Sequence, residues 1–165
     1  MTLFISTSKT PIGNLNLIAD EHVLLGANLS NISALKSGLD VADQNREIKV
    51  VKSIPIISDL IADYFAGDLT AFGGIKVRQP GADFSQDIWK AMRKIPVGKT
   101  WSYSDLAERA GSANAVRAAG TACARNLIAP IIPCHRVIKT GGALGNYGYG
   151  LGVKEWLLRH EGALK

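Results

Sequence analysis

Pro133-Cys134-His135-Arg136-Val137 places a thiol and an imidazole on adjacent residues. A thiol attacks as its thiolate, and a nearby imidazole is the usual means of making one near neutral pH. Pro133 fixes φ and removes a backbone donor just before the thiol, so the chain enters that position stiffly. The plain alternative is an inert core cysteine, the ordinary fate of a free thiol. Cys123, within a small-residue stretch, reads as such a packing residue. Two cysteines make no disulfide framework and no Cys-x-x-Cys pair suggests zinc. The three histidines, His22, His135 and His160, are too dispersed to suggest a cluster, so neither a metal nor a cofactor is expected.

The elements that must position this pair divide the chain near residue 80. Residues 1–80 read as a small α/β domain. Apolar runs at 3–7 and 15–19 flank Thr10-Pro11-Ile12-Gly13, a turn signal, and together predict a hairpin. Further strands are expected at 22–27, 48–51 and 75–78, with a short helix at 30–37. Pro55 opens a helix running to about residue 66, with Ile57, Leu60, Ile61, Tyr64 and Phe65 on one face. Gln79-Pro80-Gly81-Ala82 is the candidate linker.

Residues 81–165 read as mainly helical. A helix at 84–93 turns Phe84, Ile88, Trp89 and Met92 to a core and stops before Pro96. Helices at 104–110 and 113–124, separated by a turn containing Gly111, form a helix-turn-helix signature. Short helix pairs of this kind also occur in folds that bind no nucleic acid. A loop at 126–132 leads to the thiol, a glycine-rich segment spans 141–152, and a last helix covers 153–159.

Further motifs stand in order around the thiol. They are Phe84-Ser85-Gln86-Asp87-Ile88-Trp89, Ile95-Pro96-Val97-Gly98-Lys99-Thr100, Ser102-Tyr103 and Ala115-Val116-Arg117-Ala118-Ala119-Gly120. Asn126, Gly145-Asn146-Tyr147, Val153-Lys154-Glu155-Trp156-Leu157-Leu158 and His160-Glu161-Gly162 follow. With them the chain closely resembles the O6-alkylguanine-DNA alkyltransferases, over about residues 84–162; the N-terminal half matches more loosely. The resemblance implies a ribonuclease-H-like α/β N-terminal domain and a mainly α C-terminal domain with a helix-turn-helix.

The same resemblance implies a set of roles. Cys134 takes the alkyl group from guanine O6 as a thioether, once per molecule. His135 is the base, reaching the thiol through a water, and Glu161 orients it. An acid at a helix C-terminus opposes the dipole, which favours a partner without naming one. His160 is assigned to the solvated face. Tyr103 donates to the departing guanine; by sequence alone it is equally a half-buried aromatic. Ala115 and Ala118 lie on a smooth helix that enters the minor groove. Such a helix has almost nothing to read base edges, which suits a protein that must find damage anywhere. Arg117 fills the stack vacated by a flipped base, with a phosphate contact as the plainer alternative. Asn126 is a hinge between helix and active-site loop. Val137, Tyr147, Gly148 and Tyr149 line the alkyl pocket. Gly148 stands where many relatives carry serine, and Tyr149 narrows the pocket.

Charge agrees with a polyanionic partner. Residues 81–165 hold 12 Lys and Arg against 6 Asp and Glu, a net of +6, while residues 1–80 sum to −1. Phosphate contacts supply most nonspecific DNA affinity, although a soluble basic surface would look the same. No apolar run reaches the roughly 18 residues of a membrane span, and the N-terminus lacks a signal pattern, so a cytoplasmic protein, nucleoid-associated or nuclear at most, is expected. The expected partner is double-stranded DNA carrying alkylated bases, bound by a monomer, with cooperative assembly along DNA left open. The competing readings are a noncatalytic alkyl-lesion binder, a helix-turn-helix regulator and a Cys-His hydrolase. Relatives of the first kind replace the cysteine, and Cys134 argues against it.

Overall fold

The computed structural model describes residues 2–165. They form two compact units. The first comprises the residues up to Pro80 together with Leu127–Ile131, and the second Gly81–Asn126 and Ile132–Lys165. A single division after residue 80 therefore leaves a five-residue segment on the wrong side. Its backbone explains why: the Leu127 carbonyl accepts from Ala27 N at 2.9 Å, and Leu127 N donates to the Gln79 side chain at 2.9 Å.

In the first unit β1 (Leu3–Thr10) and β2 (Gly13–Asp20) form the expected hairpin, with Thr10 paired to Gly13 across the turn. Gly13 has φ +118°, a conformation that favours glycine there. β3 (Val23–Asn28) continues the meander, β4 (Ile48–Val50) runs parallel to β1, and β5 (Lys76–Val77) runs parallel to β3. The sheet order is β4-β1-β2-β3-β5. Leu3, Ile5, Ile18 and Leu25 pack with Leu35 and Leu39. Leu35 is supplied by α1 (Ile32–Ser37), which Asn31 caps by accepting from Ala34 N at 2.8 Å. The next helix, α2 (Ile57–Phe65), starts two residues later than the proline suggested, because Ile56 sits at φ +72°, outside helical space. It buries Ile57, Ile61 and Tyr64, and Tyr64 stacks on Phe72 with centroids 3.8 Å apart. Leu60 and Phe65, expected on the same face, are half-buried.

A four-residue ion network also belongs to this unit. Arg46 grips Asp20 with two bonds of 3.0 Å and reaches Asp43 at 2.9 Å, and Arg78 bonds the other oxygen of Asp43 at 3.0 Å. Burial pushes the Asp43 carboxyl up, but the two guanidinium groups outweigh it and hold it below its ordinary value.

In the second unit α3 (Asp83–Met92) buries Ile88, Trp89, Ala91 and Met92, with Phe84 half-buried. Trp89 Nε1 donates to the Ala122 carbonyl at 2.9 Å, fixing α3 to the helix that holds Ala122, α5 (Val116–Ala124). The short strands β6 (Trp101–Ser102) and β7 (Val137–Ile138) pair in parallel, an element with too few residues to leave a sequence signal. α4 (Tyr103–Arg109) begins one residue earlier than expected because Ser102 and Asp105 form a reciprocal capping box. α5 begins at Val116 rather than near residue 113, since Ala115 N closes a turn onto Ser112 O at 2.9 Å. Alanine's helix propensity is a weak preference that such a turn overrides. α6 (Leu151–His160) starts two residues earlier than expected, directly after Gly150 at φ +97°.

Candidate active site

Pro133 leads into a 3₁₀ turn, Cys134–Arg136, which leaves the thiol half-exposed and turns the next two side chains inward onto one carboxylate, Glu161. Cys134 is half-buried, while His135 and Arg136 are buried. The Asn126 amide and the Tyr147 hydroxyl hydrogen-bond the thiol. Burial pushes the Cys134 thiol above its ordinary value of 9.0, and these two bonds together with the Lys154 charge pull against that rise. At neutral pH the sulfur is therefore protonated and needs a base.

His135 Nε2 lies 2.9 Å from Glu161 Oε2. An ionised carboxylate only accepts, so Nε2 carries the proton and Nδ1 holds the free lone pair. Nδ1 is buried and has no hydrogen-bond partner among the described residues. His135 shares no direct hydrogen bond with Cys134, so a proton passing between them needs an intermediary. Burial holds the imidazole below its ordinary 6.5, against the pull of Glu161, so it is neutral and competent to accept a proton.

Glu161, the C-cap of α6, is the acid the helix dipole disfavours, and two partners compensate it. Arg136 Nε donates to Oε1 at 2.8 Å and Arg136 Nη2 to Oε2 at 3.0 Å, a bidentate pair. Burial pushes this carboxyl up, but the bonds from His135 and Arg136 outweigh it and hold it far below the usual range. Arg136 Nη1 donates further to the Ile95 carbonyl at 2.9 Å. Gly98, at φ +81°, approaches the Glu161 backbone so closely that a Cβ would stand 3.2 Å from its carbonyl oxygen. The Ile95-to-Gly98 turn thus buttresses the acid.

The other expected site residues are dispersed around this centre. Tyr103 is the first residue of α4, half-buried, with its ring against Gly120. Burial raises its hydroxyl above 10.0, as does the nearness of Cys123 and Cys134, so it stays a proton donor. Tyr103, Val116, Arg117, Gly120, Thr121 and Lys139 line an open groove of about 480 Å³. Arg117 and Ala118 are exposed, while Ala115 is half-buried at the helix cap rather than on the helix. Asn126 also donates to the Ile132 carbonyl at 2.9 Å, across the base of the 127–131 excursion. Val137 is buried, Gly148 is exposed, and Tyr149 meets Tyr147 edge-on at 5.8 Å. Cys123 is buried against Met92, sulfur to sulfur at 3.5 Å. His160, expected on the solvated face, instead stacks half-buried on Trp156 at 4.7 Å. Among the described residues no three His, Cys, Asp or Glu side chains are grouped to hold a metal ion.

Sequence reasoning missed Arg136, Lys139 and Lys154. Lys154 carried a readable signal, since it shares the apolar face of α6 with Leu157 and Leu158 at helical spacing. Arg136 was readable as a charge between His135 and Val137, in a run that is apolar from Ile131 to Pro133.

Residues 83–163 match the family model described as 6-O-methylguanine DNA methyltransferase, DNA binding domain. A methylated-DNA–protein-cysteine methyltransferase of Salmonella typhimurium is 44% identical over 108 residues, a stretch covering 66% of this chain and 63% of that protein. One from Methanosarcina acetivorans is 36% identical over 164 residues, covering 98% of this chain and 99% of its own length. Among solved structures, that of Mycobacterium tuberculosis OGT in complex with DNA is similar with a TM-score of 0.82 and 34% identity, over 97% of this chain and 93% of that one. With near-complete coverage in both directions, the chain belongs to the methylated-DNA–protein-cysteine methyltransferase family.

Proposed function

We propose that this protein repairs DNA by direct reversal, transferring an alkyl group from guanine O6 to Cys134 in one irreversible step. The observation that carries the reading is a half-buried thiol next in sequence to a buried His135–Glu161–Arg136 cluster, in the unit that also presents the Tyr103–Arg117 groove. The thiol proton leaves through a bridging water to His135 Nδ1, the free lone pair fixed by Glu161. Sulfur then attacks the alkyl carbon in line, forming a C–S bond as the C–O6 bond breaks. The electron pair of that bond goes to the guanine, and Tyr103, still protonated, donates to a ring nitrogen as the base leaves. No group at the site is placed to break the resulting thioether, so each molecule reacts once.

For the target base to reach Cys134 it must rotate out of the duplex, at a cost of a few kcal/mol. Arg117 is exposed on the groove and fills the vacated stack, while Ala115 and Ala118 allow close approach to the minor groove. Val137, Tyr147, Gly148 and Tyr149 border the pocket for the flipped base, and Asn126 is the hinge that also bonds the thiol. The partner is double-stranded DNA containing O6-alkylguanine, extending to O4-alkylthymine, bound by a monomer in the cytoplasm. The β1-β2-β3 meander with β4 parallel to β1 supports the ribonuclease-H-like reading of the first unit.

The test is intact mass after incubation with a duplex bearing one O6-methylguanine. A gain of one methyl group, mapped to Cys134 and capped at one per chain, is the expected result. Tight lesion binding with no mass gain would make the protein a noncatalytic lesion binder.

A further inference from the structure

Lys154 is a buried cation that the transfer chemistry above leaves without a role. It is fully buried, as are Leu157 and Leu158 on the same face of α6. Lysine is almost never buried this completely unless a partner compensates its charge. Among the described residues no carboxylate pairs with it. Its Nζ donates instead to the Val137 carbonyl at 2.7 Å and the Leu144 carbonyl at 2.5 Å. Val137 directly follows the Cys134–Arg136 turn, and Leu144 precedes the segment that carries Tyr147. One ammonium group thus ties together the two segments that carry the thiol and its tyrosine donor. Two carbonyl dipoles solvate the charge in part and do not cancel it.

We propose that Lys154 is the counter-charge of the Cys134 thiolate, stabilising the sulfur anion at the moment of attack while fixing the two segments that frame it. The inference rests on Cys134 being the alkyl acceptor. An ammonium that is already desolvated and held by fixed carbonyls needs no reorganisation when charge develops on sulfur. The influence runs both ways: the ammonium favours the thiolate, and a sulfur anion at Cys134 favours the ammonium, each against its own burial. The other ionisable groups near the sulfur do not substitute for it. Tyr103, Tyr147 and Cys123 are neutral or, if ionised, of the same sign as the thiolate. Arg136 is neutralised by Glu161, and His135 is neutral until it takes the thiol proton.

The experiment follows alkylation of Cys134 by iodoacetamide as a function of pH, in the full chain, for the wild type, K154Q and K154R. Modification is read by intact mass and peptide mapping, and folding is checked by circular dichroism. K154Q is expected to raise the midpoint of the profile by about one pH unit or more, slowing reaction about tenfold below it. K154R, which keeps the charge, should restore the rate to within about threefold of wild type. A folded K154Q with the wild-type midpoint overturns the proposal. Should neither variant fold, the wild type decides: with ¹⁵N-labelled lysine, the Lys154 Nζ resonance must shift as Cys134 ionises, and no shift overturns it. Methyl uptake from an O6-methylguanine duplex is measured separately. A wild type that shows the Lys154-dependent midpoint yet takes up no methyl group supports the pairing and overturns the alkyl-transfer reading instead.

Discussion

Glu161 ends a helix at the position where a carboxylate meets the negative end of the dipole, and it stays ionised because His135 and Arg136 both bond it. Replacing it by glutamine removes the charge while keeping the shape. Arg136 is then buried without its counter-ion, which costs about 3–5 kcal/mol. The proton on His135 is no longer fixed to Nε2, so the base at Nδ1 is weakened as well. Glu161→Gln should therefore lower single-turnover methyl transfer by about 10²–10⁴-fold and shift the denaturation midpoint downward; transfer within tenfold of wild type would remove Glu161 from the proton path. His135 and Glu161 both make stability depend on acid. Burial lowers the folded imidazole below 6.5, so the unfolded chain takes up that proton first. Stability from His135 is full above about pH 6.5 and falls as pH drops towards the folded value. Glu161 adds a second loss: its folded carboxyl also lies low, so its contribution, complete above about pH 4.5, disappears on further acidification. A urea-midpoint series from pH 8 to pH 2 should fall in that order, and in His135→Gln the first fall should vanish. Cys134 and His135 were legible in the sequence because their chemistry is adjacent along the chain. Arg136 and Lys154 were not given roles because theirs depend on carbonyls and a carboxylate between 10 and 41 residues away.

At the scale of elements, helices and strands were legible wherever apolar period and turn chemistry agreed, and their ends moved wherever a cap or a left-handed residue intervened. The Ser102–Asp105 capping box puts Tyr103 in the first turn of α4, where its side chain lines the groove with Arg117. The β6–β7 pair, two residues a side, joins the strand before Tyr103 to the strand after the Cys134 turn, and nothing so short is visible in a sequence. Two glycines show how packing decides what a substitution does. At Gly98 a side chain meets both a left-handed φ and the Glu161 carbonyl, so Gly98→Ala should cost at least about 1–2 kcal/mol and slow methyl transfer by displacing the acid. Gly120 is the opposite case. It is helical, and a Cβ there meets the Tyr103 ring at 3.8 Å, ordinary contact distance. Gly120→Ala should stabilise the protein by about 0.8–1 kcal/mol through helix propensity, yet narrow the groove between Tyr103 and Arg117 and weaken binding to duplex DNA. Thermal stability and methyl transfer should both fall in Gly98→Ala, whereas in Gly120→Ala thermal stability should rise while a DNA titration shows weaker binding.

Across the whole molecule, charge is apportioned differently in the two units, and the difference separates stability from DNA affinity. The sequence showed the net charges without showing which cations are already engaged. In the first unit Arg46 and Arg78 are bonded to Asp20 and Asp43, so they are held by internal partners. In the second, Arg117 and Lys139 line the groove beside Tyr103, and neither forms an ion pair among the described residues. A phosphate contact made by such a side chain releases a counterion, and each one steepens the dependence of log K on log salt by about 0.9. Lys139→Gln should weaken binding to lesion-free and lesion-bearing duplexes alike and reduce the slope by about 1. Arg46→Met removes the same formal charge from the first unit and should leave the slope unchanged. Its cost should appear in folding, as a lower urea midpoint, because Asp20 and Asp43 lose the guanidinium that bonds them both. Fluorescence anisotropy between 50 and 200 mM salt, beside urea unfolding of both variants, separates the two. Equal slopes for wild type and Lys139→Gln would mean that the groove does not face the phosphates, and a reduced slope for Arg46→Met would place DNA on the first unit as well.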